Sequence, residues 1–127
     1  MADLSADQVG HVNANGFSTR AHDRIEACAI RATLGHVPVT APKSLFGNLG
    51  AGTGAVEMTA SVLALVEGRV PVTLNYEEPD PECPIRVVHG QPLPFERGTA
   101  VLLNQATTGQ AVALVLASPD WPECAVS

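Results

Sequence analysis

Apolar and polar positions change their period several times along the chain, and each change marks an element. Residues 9–14, Val9-Gly10-His11-Val12-Asn13-Ala14, predict a short strand that stops at the turn pair Asn15-Gly16. Ser18 or Thr19 can cap a helix over residues 22–34, which carries Ile25, Ala29 and Ala32 at helical spacing and ends at Gly35. Residues 37–40, Val-Pro-Val-Thr, open a second extended segment. Gly47, Gly50, Gly52 and Gly54 then lead into the strongest helix signal, residues 54–67, closed by Gly68. That helix holds Val56, Met58, Val62, Leu63, Leu65 and Val66, so it reads as apolar nearly all round and is expected to be buried on most sides. Between residues 70 and 95 six prolines fix an irregular surface path, with a short strand at 85–88 inside it. Strands at 99–103 and 111–117 follow, joined as a hairpin through Thr107-Thr108-Gly109-Gln110.

The order strand–helix–strand–helix–strand–strand implies parallel pairing with right-handed crossovers and an antiparallel edge. The expected fold is α/β, with a mixed sheet of about five strands, and residues 1–127 read as a single domain whose last ten residues, 118–127, form a polar tail. A helix without a polar face needs cover on two sides, and one small sheet supplies only one. Composition sharpens this: 127 residues are enough for an unstapled core, aromatics are 4%, and Ala plus Val make up about a quarter of the chain. The core is therefore expected to consist of small side chains packed closely.

Charge and cysteine usage remove several function classes. Net charge is -6, with 7 Lys+Arg against 13 Asp+Glu, so neither nucleic acid nor an anionic membrane surface is an expected partner. No apolar run approaches a membrane span, and Met1-Ala2-Asp3-Leu4-Ser5 has no signal-peptide pattern, which makes the cytoplasm the expected compartment. Cys28, Cys83 and Cys124 are odd in number with no CxxC pair, so they read as structural or incidental thiols, with no metal site expected. His11, His22, His36 and His89 sit at no ligand spacing and read as surface or satisfied histidines. The glycine run lacks a Gly-Lys-Ser/Thr ending, and the acidic stretch Glu77-Glu78 to Glu82 reads as a solvated loop.

Three segments carry a more specific pattern. They are Asn13-Ala14-Asn15-Gly16-Phe17-Ser18-Thr19 with Asp23 and Glu26; Lys43-Ser44-Leu45-Phe46-Gly47-Asn48 running into Gly54 and Glu57; and Glu67-Gly68, Pro71 and Asn75 with Pro79-Asp80-Pro81-Glu82-Cys83. In order and spacing, over roughly residues 5–117, they resemble the C-terminal half of an elongating β-ketoacyl-acyl-carrier-protein synthase. The resemblance implies the thiolase fold, in which two similar halves pack with a helix from each in the middle layer, and that middle layer accounts for the helix at 54–67. The family's nucleophilic cysteine lies in the other half, and none of Cys28, Cys83 and Cys124 matches it.

The departures narrow the expected function. The family motif Asn-Ala-His-Gly-Thr-Ser-Thr has Asn15 at its histidine and Phe17 at its first threonine, and Lys-Ser-x-x-Gly-His has Asn48 at its histidine. By resemblance those histidines serve malonyl decarboxylation and stabilise the thioester enolate; an asparagine amide can donate a hydrogen bond there but cannot titrate near neutral pH. Phe17 and Thr19 correspond to the phosphopantetheine side, and the family's Gly-Phe-Gly-Gly-Thr-Asn loop is replaced by Gln105-Ala106-Thr107-Thr108-Gly109-Gln110. Asn15, Asn48 and Lys43 are thus the candidate site, and Asp23, Glu26 and Glu57 the acidic positions around it, either as a residual active site or as a buried ion network kept for the fold. The expected function is a non-condensing, chain-length-factor-like partner of an active ketosynthase. The alternative is an acyltransferase that takes its cysteine from the absent half and uses Asn15 and Asn48 as oxyanion donors. No cofactor is expected; the expected partners are the N-terminal half of the same fold or a ketosynthase subunit, with acyl carrier protein, and self-association of the isolated chain.

Overall fold

The computed structural model describes residues 4–95 and 98–121. A single 3-10 turn, Ala6–Gln8, capped by Ser5, precedes β1 (His11–Asn13), α1 (Arg20–Leu34), β2 (Pro38–Thr40), α2 (Lys43–Phe46), a 3-10 turn at Gly50–Gly52, and α3 (Thr53–Glu67). Then come β3 (Arg69–Val70), β4 (Arg86–Val87), β5 (Leu93–Pro94), β6 (Thr99–Gln105) and β7 (Ala111–Ala117). Five strands form one sheet in the order β4-β2-β1-β6-β7; β4, β2, β1 and β6 run parallel and β7 returns antiparallel to β6. The expected mixed five-stranded sheet is present, and β3 and β5 add a small antiparallel pair.

Local chemistry sets the element ends. Thr19 caps α1 by accepting from His22 N at 3.4 Å, and Gly35, at φ 69, receives the last turn by donating to Arg31 O. Gly68, at φ 64 and ψ 30, closes α3 in the left-handed region. The strand expected over 9–14 shortens to 11–13, and the one at 85–88 to 86–87, although the flanking backbone still bonds the neighbouring strands: Gly10 N donates to Thr99 O and Val88 N to Val39 O. The pattern gives no warning of α2, a single turn started by Pro42 and stopped by Gly47 at φ 78.

β1 lies at the middle of the sheet and is wholly buried. Its alternation splits the molecule into two unlike faces. Val9, Val12 and Ala14 join Val37, Val39, Val101 and Ile30 of α1 in an apolar core of small, mostly β-branched side chains. His11 and Asn13 face the other way: Asn13 Nδ2 donates to Glu57 O at 3.0 Å and to Ser61 Oγ at 2.9 Å, both on α3.

Two expectations need correction here. First, α3 is not buried on most sides within this chain. The stripe it buries is Thr53, Glu57, Ser61 and Ala64, while Leu63 is 56% and Val66 74% exposed. The sheet takes the polar stripe because its own facing residues are polar, and the apolar stripe is left outward. Second, His11 is neither at the surface nor satisfied: it is fully buried, and neither ring nitrogen has a hydrogen-bond partner. Its ring stands edge-on to Phe95 at 5.1 Å, and burial lowers its pKa from 6.5 to about 4. Cys28 is exposed and Cys83 half-buried, and Cys124 lies outside the described residues, as does most of the expected tail at 118–127.

Candidate functional site

The chain leaves β1 through Asn15 and Gly16 and must turn sharply toward α1. Gly16 takes φ 52, and a Cβ there would sit 3.3 Å from Ala41 Cβ, so glycine serves both the turn and the close approach. Glu26, buried on the inner side of α1, holds the turn as a fork: Oε1 accepts from Asn15 N at 2.7 Å and Oε2 from Gly16 N at 2.9 Å.

Lys43, the first residue of α2, reaches under this turn. Its Nζ donates to Asn15 O at 2.5 Å and to Asn15 Oδ1 at 3.2 Å, and lies 3.5 Å from Glu57 Oε1. Asn15 Oδ1 also accepts from Gln105 N at 3.2 Å, at the end of β6. Two donors at one oxygen fix the amide's orientation, because the reverse would set donors against the NH2 group. Asn15 Nδ2 is left buried and without a partner. Asn104 Nδ2 donates to Glu57 Oε2 at 3.3 Å. Burial pushes the Glu57 carboxyl up from its ordinary value, while the Lys43 ammonium and the Asn104 amide oppose that rise.

Asn15, Glu26, Lys43 and Glu57 thus form one continuous network, tying β1 to α1, α2 and α3. The other expected site residues are arranged around it. A cleft of about 390 Å³ is lined by Gly16, Phe17, Asp23, Lys43, Asn48 and Tyr76 among others. Phe17 lies over this cleft with its ring centroid 5.7 Å from Lys43 Nζ, a cation–π arrangement, and 5.0 Å from the His22 ring. Asn48 is exposed and committed locally: its Oδ1 accepts from Gly50 N at 2.9 Å and from Thr53 Oγ1 at 3.1 Å, which organises the entry to α3. Thr19 is taken up in capping α1, with its hydroxyl also 2.8 Å from His22 Nδ1. Asp23 lines this cleft and a neighbouring one, and its Oδ1 has no partner.

Sequence reasoning named Asn13 and Gln105 only as members of motif segments, gave neither a role in the site, and missed Asn104. Asn13 and Asn104 leave a signal after the fact, since each is an amide in an otherwise apolar strand pattern; Gln105 acts through its backbone and leaves none. Among the described residues lining the 390 Å³ cleft there is no histidine and no cysteine. The arrangement supplies hydrogen-bond donors and one cation, and lacks a side chain there that titrates near neutral pH in the manner of imidazole.

Comparison with known proteins places this architecture. The family model of the β-ketoacyl synthase C-terminal domain matches residues 1–77. The chain is 42% identical over 92 residues to 3-oxoacyl-[acyl-carrier-protein] synthase 2 of Synechocystis sp., covering 69% of this chain and 22% of the relative. It is 36% identical over 119 residues to the tetracenomycin polyketide synthase ketoacyl synthase alpha subunit of Streptomyces glaucescens, covering 91% and 28%. The chain therefore spans about a quarter of the length of these relatives. Among solved structures, the ishigamide ketosynthase/chain length factor superposes with a TM-score of 0.86 at 27% identity, over 91% of this chain and 29% of that one. A β-ketoacyl synthase from Burkholderia phymatum superposes with a TM-score of 0.81 at 28% identity, over 90% and 28%.

Proposed function

From the premise that the chain belongs to the β-ketoacyl synthase family, as its C-terminal domain, we propose that it serves a ketosynthase-like protein that does not itself condense. In this reading the full protein pairs with an active ketosynthase and shapes the acyl tunnel, as a chain length factor does. The domain would run the length of the chain, and the protein would act in the cytoplasm on carrier-bound acyl chains. One structural neighbour is described as a ketosynthase/chain length factor, and another as a type II acyl-carrier protein in complex with its ketosynthase, which is the setting this proposal draws on.

The observation that carries the reading is the state of Asn15. By the sequence resemblance we take it to stand where the family motif has its first histidine, and Lys43 and Gln105 N lock its side-chain carbonyl oxygen. Decarboxylation of a malonyl thioester requires donors to the developing enolate oxyanion, and an imidazole adds proton transfer. Asn15 offers a donor and no proton chemistry, Asn48 is held in a turn, and Phe17 fills space where a hydroxyl would meet a pantetheine arm. Lys43, Glu26 and Glu57 then act as the frame that holds the β1 turn, and Asp23 stands at the cleft's edge.

A second reading has one observation in its favour. The buried, unpartnered Asn15 Nδ2 is a donor available for an oxyanion. An acyltransferase drawing a cysteine from the preceding half would use it for acyl transfer without decarboxylation. Malonyl-carrier decarboxylation by the full-length protein tests the first reading: turnover at the level of the uncatalysed reaction is expected, with or without Asn15→Ala. Turnover that Asn15→Ala abolishes would contradict it. Acylation of the full-length protein by an acyl-carrier substrate without decarboxylation would favour the second.

A further inference from the structure

A second cavity, of about 330 Å³, adjoins the first, sharing Gly16, Asp23 and Tyr76 with it, and two segments besides the sheet form its walls. One is α1, through Asp23, Ala27 and Ile30; the other is the acidic proline loop, through Tyr76, Asp80 and Cys83. At their outer edge the walls meet in a single ion pair, Arg24 Nη1 to Glu82 Oε1 at 2.8 Å, with both side chains 58% exposed. Such an exposed pair holds weakly and is screened by salt.

Cys28 follows Arg24 by four residues on α1 and so lies on the same face, one turn further along. Cys83 follows Glu82 directly. The ion pair therefore joins the two segments that carry the thiols. Cys28 is exposed and Cys83 half-buried. Cys83 is held in a defined turn, with its N donating to Asp80 O at 2.9 Å and its O accepting from Ile85 N at 2.8 Å, while Glu82 N donates to Asp80 Oδ1 at 2.8 Å.

We propose that Cys28 and Cys83 form a reversible disulfide that latches the proline loop to α1 beside this cavity. The oxidant class is a peroxide. Exposed Cys28 attacks hydrogen peroxide, giving a sulfenic acid and one water. The Cys83 sulfur then attacks the Cys28 sulfur, forming the S–S bond and expelling the hydroxyl, which leaves as a second water with the Cys83 proton. Two electrons, one from each sulfur, reduce the peroxide. Burial, with the Asp80 and Asp23 carboxylates, pushes the Cys83 thiol up. Cys83 thus suits the resolving role and exposed Cys28 the first attack. The latch makes covalent a wall contact that the ion pair makes only weakly, and it stands independently of the role given to Asn15.

The test is peptide mapping of the folded chain without reductant after brief treatment with hydrogen peroxide. The expected product is a linked peptide pair joining Cys28 to Cys83, lighter than the separate peptides by two hydrogens and removed by dithiothreitol. It persists in Cys124→Ser and disappears in Cys28→Ser and Cys83→Ser. Amide exchange across residues 77–84 is expected to slow in the oxidised form and recover on reduction. A folded chain that yields sulfenic or sulfinic acids at Cys28 with no linked pair, or that links Cys124 instead, would overturn the proposal. So would linkage seen only in denaturant.

Discussion

The two faces of the sheet are built on opposite rules. On one, α1 lays Ala27 and Ile30 onto a core of Val9, Val12, Val37, Val39 and Val101 and turns most of its polar side chains to solvent. On the other, α3 lays Glu57 and Ser61 onto Asn13 and Asn104 and turns Val56, Val62, Leu63 and Val66 outward. β7 extends the second pattern: Val112 and Leu114 pair with Asn104 and Leu102, share α3's side of the sheet, and are exposed. The α1 face is packed in this chain except at Ile25, which the sequence spacing set on the apolar side and which is 67% exposed, and the α3 face carries a polar inner seam and an uncovered apolar outer one. A contiguous apolar surface of this kind marks an interface.

Substitutions can break this contrast. The largest effect is expected in the polar seam. Lys43→Met leaves the Glu57 carboxylate buried without its cation, a loss of about 3–5 kcal/mol by chemical denaturation. Burial raises the Glu57 pKa and Lys43 holds that rise down, so removing Lys43 raises it further. The loss should therefore be greatest at neutral and alkaline pH and shrink as acid protonates Glu57. A loss independent of pH would show that Lys43 acts through packing alone.

Next, Ile30→Ala empties part of the α1 core and is expected to cost about 2–5 kcal/mol. Leu63→Ala on the outer face of α3, measured at a concentration too low for association, should change stability by no more than about 0.5 kcal/mol. Equal costs at both positions would erase the distinction between the faces.

His11 gives the third expectation. Its pKa in the fold is about 4 against 6.5 outside it, so the unfolded chain binds a proton that the folded chain refuses. Its contribution is present above pH 6.5 and is lost as pH falls toward 4, by up to about 3 kcal/mol. Replacing His11 with Phe should flatten that part of the stability–pH curve; a curve unchanged in shape would mean another group carries the acid sensitivity.

Much of this could be read from the letters and some could not. Caps and stops were legible because they are local: Thr19 before α1, Gly35 after it, Gly68 after α3. The spacing of Thr53, Glu57 and Ser61 within an apolar helix is also visible in the sequence, yet the direction of that stripe depends on what it packs against. Asn13 and Asn104 decide it, from strands that only the sheet brings together. The burial of His11 has the same origin, since a three-residue strand at the sheet's centre gives no local sign of its position. In the candidate site, Lys43, Glu26 and Glu57 were legible as a motif. The Gln105 backbone bond to Asn15 was not, because it spans 90 residues and involves no side chain of Gln105.

The contrast between the faces predicts that the isolated chain covers α3's outer side with a second copy. Sedimentation equilibrium at micromolar concentration tests this directly, comparing the chain with a Val62→Glu, Val66→Lys double variant. Reversible self-association of the former and a folded monomer for the latter are the predicted result. A clean, stable monomer for the unaltered chain would contradict the assignment of this face as an interface.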